Sequence, residues 1–149
     1  MTHDLKTMTR INVILPKLLS DKHLLAEYRE LPRIFTAVKK LDKKPDDIPE
    51  HYVLGKGHCK FFYDKSKYLF NRYHDIAKDL HLRGFKINWD LVYKIRRDAI
   101  KEIPHWSWND WNPTHEDYYL NMARICKRSN FKLVLDEIYG ERNDQHLSK

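Results

Sequence analysis

The hydrophobic positions of this chain recur mostly at helical spacing. Advancing by about 100° per residue from Asp21, Leu24, Tyr28, Leu31, Phe35 and Val38 fall in one sector. His23, Arg29, Glu30 and Arg33 gather on the opposite side, with the small Ala26 and Ala37 between them. Ser20 or Asp21 supplies the N-cap. Pro32 lies inside the pattern, and its missing donor and bulky ring predict a kink there. Leu69, Tyr73, Ile76 and Leu80 define a second helix, capped by Asp64 and closed by Gly84. Leu91, Ile95, Ala99 and Ile103 define a weaker third, stopped by Pro104. Thr114 then caps a helix carrying Tyr118, Met122 and Ile125, with Asp117 completing a weak capping box. A last short helix is expected over Phe131 to Tyr139, closed by Gly140.

Between these elements the chain is punctuated. Ile11 to Leu15 is an apolar run interrupted by Pro16, too short to assign. Residues 41–50 form a polar loop with two prolines. Gly55-Lys56-Gly57-His58 lacks the spacing and ending of a P-loop, so an ordinary turn is preferred over a phosphate cradle. His105 to Trp111 holds three of the four tryptophans, which either plug the core or offer a stacking surface to bases. The expectation is an all-α, compact single domain of about three to five helices, the first kinked at Pro32. Residues 1–8 form an N-terminal extension, 9–140 the helical domain and 141–149 a flexible tail.

Composition narrows the function. At 149 residues the chain is long enough for one real core. Four glycines are too few for a turn-rich all-β fold. A net charge of +7 favours a polyanionic partner, nucleic acid ahead of an acidic membrane. The two cysteines, Cys59 and Cys126, form no paired motif and read as reduced thiols. No signal sequence or apolar span is present, so a cytoplasmic location is expected. The nine histidines show no metal-site spacing, and no metal is expected. On the first helix, Glu30 stands as one acid among His23, Arg29 and Arg33, and cations so placed should keep it ionised.

The segments MTRIN at 8–12, DKHLLAEYRELPRIF at 21–35, LGKGHCKFFYDK at 54–65 and RGFKI at 83–87 occur in this order. Together they closely resemble the phage-type pyrimidine-dimer DNA glycosylases, the endonuclease V family. The resemblance implies a small helical enzyme that needs no cofactor and acts as a monomer on double-stranded DNA containing damaged bases. It implies that the α-amine of Thr9 attacks C1′ of the damaged nucleotide, that an imine forms, and that β-elimination cleaves the strand. It assigns catalysis to Thr9 and Glu30. Arg10, His23, Arg29 and Arg33 would surround the lesion, with Arg124 and Arg128 at phosphates.

Amine chemistry agrees with that assignment. A chain-terminal amine has an ordinary pKa of about 7.7–8.0 against about 10.4 for lysine, so more of it is neutral and nucleophilic at neutral pH. Two departures stand out. Thr9 is internal as numbered, so its nitrogen is an amide unless the functional chain starts at Met8 and loses that methionine. The family's aromatic and basic C-terminal tail has no clear counterpart here. The alternatives are therefore the same chemistry on another damaged or modified base, or a damaged-DNA-binding module with a blocked amine.

Overall fold

Ser20 opens the first long helix: its Oγ accepts the His23 N–H at 3.2 Å, satisfying one of the amides that a helix start leaves unpaired. The structure is a computed structural model that describes residues 9–126. Among those residues there is no strand, and five helices of eight residues or more carry the fold. They are α1 (Asp21–Glu30), α2 (Pro32–Lys39), α4 (Ser66–Leu82), α5 (Trp89–Glu102) and α6 (His115–Cys126), with a single turn α3 (His58–Phe61) between α2 and α4. The all-α expectation holds. The expected helix at Phe131 to Tyr139 lies outside the described residues.

The kink at Pro32 is a break in the hydrogen-bond ladder. Leu31 keeps helical angles, and its N–H still reaches Glu27 O at 2.9 Å. Pro32 then has no N–H to offer, and the ladder resumes with a tighter bond from Ile34 N–H to Leu31 O at 3.1 Å. The apolar sector of α1 and α2 is buried at Leu24, Leu31, Phe35 and Val38. Tyr28, at its edge, stacks on Tyr73 of α4 with ring centroids 5.5 Å apart.

Helix α4 is the central element, packing on α1 and α5. Leu69, Tyr73, Ile76 and Leu80 are all buried, as their spacing predicts. Gly84, at φ +93°, ends it: the Phe85 N–H bonds Leu80 O and the Gly84 N–H bonds His81 O, both at 3.0 Å. The expected cap at Asp64 is not formed. Lys65 occupies the N-cap position, and Asp64 instead accepts from Lys65 Nζ at 2.8 Å.

Two other expectations change register or role. In α5 the buried residues are Val92 and Ala99, followed by Ile103 just beyond the helix, while Leu91 is 46% exposed. Leu91 lies about 100° from Val92 around the axis, so a helix that buries Val92 turns Leu91 outward. The tryptophans of this stretch are half-buried and pack against the core. Trp111 meets Tyr52, Phe61, Phe62 and Tyr68 within 6.1 Å between centroids, and Trp108 lies edge-on to Phe70 at 5.3 Å. At α6, the Asp117 N–H reaches Thr114 Oγ1 at 3.2 Å and the Thr114 N–H reaches Asp117 Oδ2 at 2.8 Å, completing the anticipated capping box.

The segment from Thr9 to Ile14 is neither strand nor helix, yet Thr9, Ile11, Asn12, Val13 and Ile14 are all buried. Buried backbone groups need partners. Here side chains supply them. His58 Nε2 accepts the Ile11 N–H at 2.8 Å, and Tyr52 OH donates to Ile11 O at 3.2 Å. Asn121 Oδ1 accepts the Val13 N–H at 2.6 Å, and Arg72 Nη1 donates to Ile14 O at 3.0 Å.

Candidate active site

The clamped segment and the polar side of α1 form the walls of a cleft of about 330 Å³, closed at one end by α6. Arg10, Asn12, His23, Glu27, Glu30 and Arg124 line it. Of the residues expected at the site, Arg10, His23, Glu30 and Arg124 therefore come together. Arg29 and Arg33 are exposed and do not line the cleft, although the charge of Arg33 still acts on Glu30. Arg128 lies outside the described residues. Thr9 sits beneath the surface, 1% exposed, and its Oγ1 has no hydrogen-bond partner. The Thr9 carbonyl oxygen receives the Cys59 thiol at 3.7 Å.

Glu30 and Arg10 line the same cleft, and the Arg10 backbone N–H lies close enough to favour the ionised Glu30 carboxylate. Burial lifts the Glu30 carboxyl above its ordinary value. The Arg10 N–H and the Arg33 and Arg10 charges pull it down, the nearby Glu27 charge adds to the rise, and burial prevails. One feature of the sequence reading is thus corrected: Glu30 is not a lone acid, because Glu27 shares the cleft one helical turn earlier.

Glu27 is 1% exposed and makes a two-pronged ion pair with Arg72, whose Nε bonds Oε2 and whose Nη2 reaches Oε1 at 3.0 Å. Burial opposes the Arg72 charge, but the Glu27 carboxylate outweighs it and raises the guanidinium pKa. His58 is held in one tautomer. Its Nδ1 lies 2.8 Å from Val53 O and must donate, which leaves Nε2 to accept from Ile11. Burial, aided by the Arg124 and Arg10 charges, pushes its pKa down to about 4. The glycine turn before it delivers this imidazole. Gly57 adopts φ +89°, and a Cβ there would stand 3.2 Å from Pro49 Cγ.

Asn12, Glu27, His58, Arg72 and Asn121 were not singled out from sequence as site residues. Arg72 and Asn121 carried a signal: each falls on the buried stripe of its helix, beside Tyr73 and Met122. A charge or amide on such a stripe requires a buried partner. Among the described residues, no group of three or more His, Cys, Asp or Glu side chains is placed to hold a metal ion, and no helix is long and apolar enough to cross a membrane.

Fold and cleft together define a class: a small all-helical domain in which carboxylates face cations across one polar cleft. The family follows from sequence comparison. Residues 8–92, more than half of the chain, match the family model described as pyrimidine dimer DNA glycosylase, and the chain belongs to that family. Membership assigns it a role in DNA repair, with DNA containing pyrimidine dimers as substrate.

Proposed function

We propose that this protein excises the damaged base through an imine with the α-amine of Thr9 and then cleaves the strand by β-elimination. The observation that carries the reading is that Glu30 lines the same cleft as Arg10, the residue joined directly to Thr9, which puts an acid–base group near the nitrogen-bearing residue. In a chain beginning at Thr9, the neutral amine attacks C1′ while the N-glycosidic bond breaks and the base leaves with its electron pair and takes up a proton. Loss of a proton from nitrogen and opening of the sugar ring give the imine. Removal of a proton from C2′ then expels the 3′ phosphate, and water hydrolyses the imine to release the enzyme. Glu30 stabilises the cationic sugar and moves these protons. Its raised pKa makes the Glu30 carboxylate a better proton acceptor than an unperturbed one.

Arg10, His23 and Arg124 place positive or protonatable groups around the cleft. Arg29 and Arg33, both exposed, extend the cationic surface toward duplex phosphates, and Arg128 remains a phosphate contact by resemblance alone. A damaged, poorly stacked site opens more cheaply than intact duplex, which contributes to discrimination. The test is borohydride trapping on a dimer-containing duplex, comparing chains that begin at Thr2 and at Thr9, with the trapped residue mapped. A covalent adduct at Thr9 is expected from the shorter chain. No adduct from that chain, with damaged-DNA binding intact, would identify a binding module instead.

A further inference from the structure

Asn12 is where four separately formed parts of the molecule meet. Its Nδ2 donates to Glu27 Oε1 of α1 at 2.9 Å. Its Oδ1 accepts from Asn121 Nδ2 at 2.9 Å and from Arg124 Nη2 at 2.6 Å, both on α6. Glu27 is anchored in turn by Arg72 of α4. The orientation of the amide follows from its neighbours, since an ionised carboxylate only accepts and a guanidinium only donates. No other small side chain serves both. A carboxylate would face Glu27 with like charge, and an apolar replacement would leave buried polar groups unpaired.

A buried amide often serves packing alone. Here two further facts bear on chemistry: Asn12 itself lines the cleft, three residues after Thr9, and one of its partners, Arg124 of α6, lines it too. Fixing one donor of a guanidinium fixes the plane in which the rest of its rigid fork points. We propose that Asn12 is a positioning residue that couples the Arg124 guanidinium to the segment carrying Thr9, so that seating a DNA phosphate and placing the amine depend on one amide. The coupling to the amine rests on the imine reading given above.

The experiment uses chains beginning at Thr9 and an abasic duplex, so that trapping does not depend on base release. Asn12→Ala is expected to slow single-turnover trapping about tenfold or more, as a small misplacement of a nucleophile does, while weakening duplex binding no more than Arg124→Ala. Unchanged trapping would overturn the proposal. Asn12→Asp is a second, near-isosteric variant: it keeps both acceptor bonds, loses the donor to Glu27 and sets a like charge beside it. Burial beside the Glu27 charge raises the pKa of the new carboxyl, so the variant's rate relative to the parent should recover as pH falls from about 8 to about 5 and that carboxyl regains a proton. A ratio that stays flat over that range in folded protein counts against the proposal. If the parent itself forms no adduct, the imine reading fails. The coupling is then decided by duplex binding alone: non-additive losses for Asn12→Asp and Arg124→Ala support it, and additive losses refute it.

Discussion

Glu27 and Arg72 form a buried, two-pronged ion pair that joins α1 to α4 directly behind the cleft. Removing one partner leaves the other charge buried and uncompensated. Arg72→Ala should therefore cost about 3–5 kcal/mol of stability, measured by urea denaturation. The paired replacement Glu27→Leu with Arg72→Met should recover part of that loss. Recovery stays incomplete because Ile14 O and Asn12 Nδ2 also lose their partners.

Glu30→Gln should retain affinity for dimer-containing duplex while losing most turnover, about a hundredfold or more. Filter binding and single-turnover cleavage on one preparation separate the two effects. Wild-type turnover in this variant removes Glu30 from the assigned role.

The acid limb of the pH–rate profile should lie at higher pH than an unperturbed glutamate would give, because burial raises the Glu30 pKa. Arg33 stabilises the ionised form, so Arg33→Ala should move that limb to still higher pH. The same variant should bind DNA with a shallower salt dependence, as expected for a lost phosphate contact. A limb that moves to lower pH contradicts the electrostatic account.

His58 gives stability its own pH dependence. Its pKa falls from 6.5 in the free side chain to about 4 in the fold, so between those values the unfolded chain binds more protons. Stability should be fully present above pH 6.5 and decline as pH falls through this window, by about 1.4 kcal/mol per pH unit at the steepest. Thermal melting across the range checks it. His58→Gln, which can keep an acceptor for the Ile11 N–H, should flatten the His58 component.

Trp111 tests the role of the aromatic stretch. Its ring contacts with Tyr52, Phe61, Phe62 and Tyr68 make it a structural side chain. Trp111→Ala should lower stability by about 3 kcal/mol and leave the affinity of the remaining folded protein for damaged duplex little changed. A selective loss of binding at undiminished stability would restore a base-stacking role.

The parts of this molecule governed by local periodicity were legible in its sequence. The stripe from Leu69 to Leu80, the stop at Gly84, the break at Pro32 and the box of Thr114 and Asp117 all depend on residues a few positions apart. Leu91 was misplaced because a stripe with the right spacing does not say which neighbouring register faces the core. Asp64 was misplaced because helix starts are uncertain by a residue or two. On α1, the charges at His23 and Glu30 pointed to the cleft, but the sign of the Glu30 shift depends on burial, which helical periodicity does not measure. The Asn12, Glu27, Arg72 and Asn121 network joins residues up to 109 positions apart, and only the closed fold brings them together.

That separation bears on when the protein can become reactive. Thr9 to Ile14 borrow their hydrogen bonds from side chains as far along as Asn121, so the full set is complete only after α6 has docked. Contacts this distant close late, because the entropy of bringing such remote points together is spent before they give anything back. During synthesis, an amine at Thr9 would wait beside no organised carboxylate until nearly the whole described chain had left the ribosome. A partly made or partly unfolded copy would carry an ordinary amine. Under the proposed imine mechanism, the long-range clamp would withhold that chemistry from any chain that has not finished folding.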